Sequence, residues 1–284
     1  MPQPALHVAI ARRALRRWDQ QAYDVPFPIH DPDCINAFLH GSLGPDTGFF
    51  PGNAETLSSR VHTECAGRFT RMLFDGARTM RMRAYACGWL SHILADVEIH
   101  PLVNDAAARL PKSWHWRGPG VRHAAVEAGL DGWWLARSPE LSRLRLRPAL
   151  DHGDAPCVSL AYLDAYRDAI TPAEIIASHR RVTYWYNAYL YLGRWIGRQA
   201  REWTPLPLLR SVLSRHLSHD APAFGFLHSM RPGRDLVQRV RAGILRHDLW
   251  LDRHIATRCV DLPDYDLETG DRLDGWAAPL FAAT

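Results

Sequence analysis

Lysine is nearly missing from this chain of 284 residues, Lys112 being the single one among 34 basic residues. Positive charge therefore rests on arginine. Guanidinium groups suit bidentate phosphate contacts, but their even spread along the sequence reads as coding bias rather than as a phosphate-binding design. The net charge of only +4 is too small to force a nucleic-acid or anionic-membrane partner by electrostatics alone. Long apolar runs are also lacking, so no segment reaches the roughly 20 residues that a membrane-spanning helix needs. Residues 1–18 have no continuous apolar stretch of the secretory-signal kind. Arg12, Arg13, Arg16 and Arg17 would suit a transit peptide, but His7 belongs to the constellation described below. The five cysteines (Cys34, Cys65, Cys87, Cys157, Cys259) contain no CxxC pair and are odd in number. That argues against a disulfide framework and against a thiolate metal site, and for a reducing, cytoplasmic setting. Period-two alternation and internal repeats are missing as well, which excludes a sheet-based or solenoid fold.

Apolar residues make up 47% and charged residues 23%, the balance of an ordinary globular protein. The expected fold class is all-α. Helical periodicity predicts helices over 5–18, 55–76, 80–99, 121–134, 156–170, 206–219 and 235–259, with Pro101 closing the third. Thr171-Pro172-Ala173-Glu174 reads as a capping box opening a long helix to about residue 202. Residues 24–53, dense in proline and glycine, read as an irregular loop around a short apolar piece at 35–39. The stretches 101–120 and 261–274 read as loops. The expected organisation is a metal-binding helical core over 1–135 and a helical part over 136–284 packed into the same domain.

Histidine, at 15 residues, is the composition outlier. On a helix His92, Asp96 and His100 fall at i, i+4 and i+8 and project along one stripe. Eight residues of helix rise about 12 Å, while zinc holds each ligand at about 2 Å. His92 and His100 therefore belong to different ions, and Asp96 between them has two oxygens with which to bridge. His123 and Glu127 repeat the spacing on the next helix. His62 lies on an earlier helix, His7 on the first, and Asp46 in the loop Gly41-Ser-Leu-Gly-Pro-Asp-Thr-Gly-Phe-Phe50. Taken singly, any such pair is as compatible with a solvated helix face or a satisfied core histidine. Together, successive i, i+4 placements of ligand types beside apolar faces are hard to explain as packing. The other histidines, among them His115, His152, His179, His216, His219, His228, His247 and His254, show no grouping and read as surface or core.

The order His7, GSLGPD ending at Asp46, His62, HxxxDxxxH from His92 to His100 and HxxxE from His123 to Glu127 resembles the zinc-dependent phospholipase C family and its relatives, the fungal zinc single-strand nucleases. The resemblance covers roughly the first half of the chain. It implies an all-helical bundle with two or three zinc ions in a cleft. One ion would be held by Asp46, His62, His92 and Asp96, and a second by His100, His123 and Glu127. A third would take His7, Asp96 as a bridge, and the terminal amine. The chain departs from the pattern in beginning Met1-Pro2, where secreted members expose a terminal Trp. Loss of Met1 would leave the Pro2 amine five positions before His7. Members that cleave phosphatidylcholine also carry an aromatic residue beside the loop aspartate, where this chain has Thr47.

The activity so implied is hydrolysis of a phosphate ester, with Asp46 as the catalytic group that accepts a proton from water. A phospholipid is the favoured substrate. A single-strand nuclease and a non-hydrolytic helical binding protein are the alternatives, nucleic acid being disfavoured by the weak charge. Trp114, Trp116, Trp133 and Trp134 flank the last ligand helix, as pocket lining or as core. The stretch Tyr184-Trp-Tyr-Asn-Ala-Tyr-Leu-Tyr191 reads equally as a partner surface or as core.

Overall fold

The structure, a computed structural model, describes residues 4–110, 119–202, 232–257 and 260–273. Among them every extended element is a helix, as the periodicity predicts, and the only strand-like pairing is an isolated antiparallel bridge between Tyr265 and Arg272. The helices are α1 (Pro4–Gln20), α2 (Pro32–Gly41), α3 (Thr56–Thr63), α4 (Ala66–Gly76), α5 (Met80–Arg109), α6 (Pro119–Arg137), α7 (Pro139–Arg143), α8 (Ala155–Tyr166), α9 (Pro172–Glu202) and α10 (Arg234–Thr257). A 3₁₀ turn spans Thr47–Phe49. No helix among the described residues is long and apolar enough to cross a membrane. The stretch 206–219 and the residues Trp114, His115, Trp116, His216, His219, His228 and Cys259 lie outside the described residues.

Several boundaries differ from the sequence expectation, each for a local reason. The loop expected over 24–53 contains α2, because Asp31 caps it by accepting from the Asp33 and Cys34 amides and Pro32 occupies the first turn, where its missing N–H costs nothing. The expected helix over 55–76 breaks at Glu64 and Cys65, both away from helical geometry. Pro101 does not close α5, which runs eight residues further. Proline there removes one backbone hydrogen bond, while Val103 and Ala107 beyond it are buried in an apolar cluster with Val126, Leu130, Val240 and Ile244. The capping box is present: the Glu174 amide donates to Thr171 Oγ1 at 3.2 Å, and the Thr171 amide donates to Glu174 Oε2 at 2.8 Å.

α5 is the axis of the molecule, in contact with α1, α2, α4, α6 and α10. From Tyr85 to Asp96 every residue is buried, so this stretch has no solvent face. α2 crosses α5 at closest approach through a pair of glycines. A Cβ on Gly41 would overlap the Tyr85 carbonyl, and one on Gly88 would overlap that of Phe38. On the other side α1 is tied to α10 by ion pairs, Arg13 Nε to Asp248 at 2.8 Å and Arg17 Nη1 to Asp248 at 2.7 Å. The larger apolar cluster draws on both halves of the chain, from Ala5 and Val8 through Trp18, Phe69 and Trp89 to Tyr186, Leu251 and Leu267.

Candidate metal centre

α5 carries His92, Asp96 and His100 on one stripe, and the surrounding helices bring the remaining groups to it. The close α2–α5 crossing sets the start of the Gly41–Phe50 loop against His92. The loop then folds through successive turns, Gly44 N to Gly41 O at 2.8 Å and Thr47 N to Gly44 O at 3.0 Å, which place Asp46 at the head of the 3₁₀ turn. The Gly48 amide anchors this loop to α3 by donating to Ser58 Oγ at 2.6 Å, one turn before His62. α1 presents His7, whose ring stacks on that of His92 at 3.9 Å, and α6 presents His123 and Glu127.

All eight residues singled out from the sequence converge. Asp96 is central, and its two oxygens face different partners: Oδ1 lies 3.3 Å from His7 Nε2 and 3.5 Å from His100 Nε2. Its Oδ2 lies 3.0 Å from His92 Nε2 and 3.6 Å from His62 Nε2. Asp46 Oδ1 is 3.2 Å from His62 Nε2 and 3.8 Å from His92 Nε2. Glu127 Oε1 is 3.1 Å from His123 Nε2 and 3.3 Å from His100 Nε2. Ligand atoms held tetrahedrally at about 2.1 Å from one ion stand about 3.4 Å apart, and these separations bracket that spacing. Among the described residues three groups could each hold an ion: His7 with His92 and Asp96, Asp46 with His62 and His92, and His100 with His123 and Glu127.

Hydrogen bonding fits the same reading. His7 Nδ1, His92 Nε2, Asp46 Oδ2 and both oxygens of Asp96 are buried without a hydrogen-bond partner. Polar atoms shut away from water normally find partners, so a concentration of bare ones in one cluster marks a place for a cation. The far sides of the other four rings are by contrast satisfied, His7 alone leaving its outer Nδ1 bare. His62 Nδ1 lies 2.9 Å from Ser58 O, His92 Nδ1 2.8 Å from Ser42 O, His100 Nδ1 2.7 Å from Leu267 O and His123 Nδ1 2.8 Å from Asn104 Oδ1. A carbonyl oxygen accepts only from N–H, so each of these rings carries a proton on Nδ1 and turns Nε2 inward, the atom left to a metal once any proton on it has gone.

Electrostatics among the cluster's own groups tell the same story. Burial works against every charge here. For Asp96 it is outweighed by His100, His92, His7 and His62, which hold the carboxyl well below its usual range. Burial likewise opposes ionisation of Glu127, yet His100 and His123 bring it down to about 2. His62 is desolvated, but Asp46 and Asp96 raise it to about 10, and His100 rises to about 9 against burial because of Asp96 and Glu127. His7 goes the other way: burial and the neighbouring His92 lower it to about 4. Carboxylates that stay ionised in a desolvated pocket call for positive charge, which protons supply here and a divalent ion supplies better.

Three supporting residues escaped the sequence reading. Asn104 continues the i+4 stripe of α5 beyond His100, and Asp131 continues the His123, Glu127 stripe of α6, so both had a positional signal. Asp131 is fully buried and accepts from the amides of Ala5 at 3.0 Å and Leu6 at 2.7 Å, fixing the start of α1 immediately before His7. Leu267 had no signal. Its amide donates to the His62 carbonyl at 2.6 Å while its own carbonyl holds His100, so the stretch that reads as an acidic loop is a brace between two ligand elements. The remaining described histidines do not join the cluster: His40, His179 and His247 are buried in other hydrogen bonds, His30 and His152 are exposed, and His254 lies beside Trp250 with ring centres 6.5 Å apart. Trp133 and Trp134 pack on one another at 4.6 Å, Trp134 also lying against both apolar clusters. The aromatic stretch on α9 divides, with Tyr186 and Tyr189 buried and Tyr184 and Tyr191 exposed.

No curated protein and no solved structure matches the chain. The family model of zinc-dependent phospholipase C does match, over residues 6–196, a span that holds every residue of the cluster. With that match covering well over half its length, the chain belongs to the zinc-dependent phospholipase C family.

Proposed function

We propose that the chain hydrolyses phosphodiesters in the manner of a phospholipase C, with zinc held among the inward-facing Nε2 atoms and carboxylate oxygens around Asp96. The observation that carries this reading is the group of buried, unpartnered donor atoms, both oxygens of Asp96 among them. Asp46, His62, His92 and Asp96 would hold one ion, and His100, His123 and Glu127 a second. His7 and Asp96 would hold a third with the terminal amine, which lies outside the described residues. Zinc bound there supplies Lewis acidity toward a phosphoryl oxygen and lowers the pKa of a nearby water.

The chain's own groups then divide the work. Asp46 uses Oδ1 toward His62 and leaves Oδ2 buried and unpartnered, which suits it to take a proton from water during in-line attack. Asp96, with one oxygen toward each pair of histidines, fixes the spacing between sub-sites. Ser42, Ser58 and Leu267, through their carbonyls, keep the rings in the tautomer and orientation the reaction needs. A phospholipid is the favoured substrate because a net charge of +4 offers little for a polyanionic strand. Thr47, beside Asp46, supports a headgroup other than choline. Residues 136–284 are proposed as an extension of the same domain, an arrangement supported by the apolar cluster that α8, α9 and α10 share with α1 to α5.

The test is hydrolysis by zinc-loaded protein of mixed phospholipid vesicles and of single-stranded DNA, each with and without chelator. Chelator-sensitive release of phosphorylated headgroups is expected. Release of nucleotides without lipid turnover would replace the phospholipase reading with the nuclease one, and zinc-loaded protein inert toward both substrates would overturn hydrolysis.

A further inference from the structure

Away from the metal centre the structure contains a surface cavity of about 460 Å³ between α1, α6 and α10. Four arginines line it, Arg13 and Arg16 from α1, Arg137 at the end of α6 and Arg241 from α10, and no acidic residue among the described ones does. None of the eight candidate ligands lines it, although Ala9 and Ile10 of α1 do. Arg16 follows His7 by nine residues, which at about 100° and 1.5 Å per residue puts it on the opposite face and about 13 Å along the axis.

The four arginines are not equivalent. Arg13 donates to Asp248 at 2.8 Å and Arg16 to Glu140 at 3.2 Å, so the α1 pair is already matched by carboxylates. Arg137 and Arg241 have no carboxylate partner among the described residues. Their guanidinium groups lie over the ring of Trp133, at 4.0 and 5.1 Å from its centre. Arg137 also donates to the Trp133 carbonyl at 3.1 Å, which fixes it further. Holding two like charges on one indole costs repulsion that cation–π attraction only partly offsets. Planar guanidinium groups stacked in this way keep N–H donors that suit a phosphate-type anion. Ile10 and Ile244 give the cavity an apolar wall, and Leu245 at its edge is 55% exposed.

We propose that this cavity is a second anion site, which takes a phosphate group carried on an apolar or planar body. Arg137 and Arg241 hold the phosphate, and Trp133 with the α10 side chains receives the body. The site is independent of whichever phosphoester the metal centre cleaves. Its volume falls within the range of small-ligand pockets, about 300–1,000 Å³.

Trp133 is one of eleven tryptophans, so the site's optical signal is the part of the fluorescence response that a W133F variant loses. Zinc-loaded protein is titrated with phenylphosphonate, which cannot be hydrolysed, and with inorganic phosphate, following tryptophan fluorescence. In parallel, flotation compares phosphatidylcholine vesicles with and without phosphatidylglycerol. The wild type is expected to saturate with phenylphosphonate below about 10 mM, more tightly than with phosphate. R137Q/R241Q should lose that binding about ten-fold or more, with zinc content and helical circular dichroism unchanged. Loss confined to the soluble probe identifies a free phosphorylated ligand, and loss confined to the anionic vesicles identifies a lipid headgroup; each supports the site. R137K/R241K should keep part of the affinity, since charge remains and stacking is lost. A wild type without saturable response to any probe, or a double glutamine variant that binds as well as the wild type, would overturn the proposal.

Discussion

At the residue scale, the cluster differs from ordinary buried salt bridging in which atoms go unpaired. His92 Nε2 stands 3.0 Å from Asp96 Oδ2, yet neither atom is hydrogen bonded. Direct pairing would have used that contact; a shared ion uses the space between the atoms. The metal-free state should therefore hold protons where zinc would sit. His62, raised to about 10, and His100, raised to about 9, carry protons at neutral pH that must leave before their Nε2 atoms can bind. Zinc uptake near neutrality should thus release about two protons, and affinity should climb as pH rises toward 9. Calorimetry in buffers of different ionisation enthalpy checks this, and an affinity flat between pH 6.5 and 9 would count against it. Asp131 offers a second residue-scale test. Replacing it with Asn leaves one carbonyl to serve two amides, so α1 loosens ahead of His7. The variant should lose affinity for one ion by about 10-fold, the usual size of a second-shell effect, and keep the His100, His123, Glu127 site, as zinc titration with a competing chelator would read. Asp131 is itself pushed up to about 7 by burial, against the pull of the Ala5 and Leu6 amides.

At the scale of elements, what sequence could deliver followed from how local its causes are. The stripe on α5, the HxxxE pair on α6 and the capping box at Thr171 rest on spacing within one or two turns, and each is present. α2 was hidden because its proline and glycine density imitates a loop, although Asp31 and Pro32 form a sound helix start. The continuation of α5 past Pro101 could not be read locally, since what holds Val103 and Ala107 helical is packing against α6 and α10. Nor could Leu267, whose contribution comes from its backbone and from chain far away in sequence. The glycine crossing of α2 and α5 is the element whose disturbance should reach the centre most directly. Gly88→Ala sets a methyl against the Phe38 carbonyl and should destabilise by about 1–3 kcal/mol, read from the urea midpoint. It should also weaken zinc binding through Ser42, whose carbonyl orients His92. Unchanged stability and zinc affinity would mean that the helices have room to part.

On the scale of the whole molecule, the metal centre is a second junction between elements that the larger apolar cluster also joins. α1, the Asp46 loop, α3, α5 and α6 all end on the same set of atoms, and Leu267 closes it from the far end of the described chain. Removing metal should therefore weaken the molecule globally, with the melting temperature falling by about 10 °C or more on chelation. In the chelated protein the histidine–carboxylate pairs stabilise fully below the ordinary histidine pKa of 6.5 and are lost as pH rises through about 9 to 10. Melting followed across that range should show the chelated form weakening with pH while the zinc form does not.

The central claim is that Asp96 holds a multinuclear zinc site that hydrolyses phosphodiesters, and Asp96→Asn tests it most directly. Zinc per chain, by elemental analysis, and phosphodiester turnover are measured on the same preparations of wild type and variant. The account predicts two or three zinc ions in the wild type and fewer in the variant, with turnover reduced about 100-fold or more. An Asp96→Asn protein that keeps its full zinc content and full activity would contradict it.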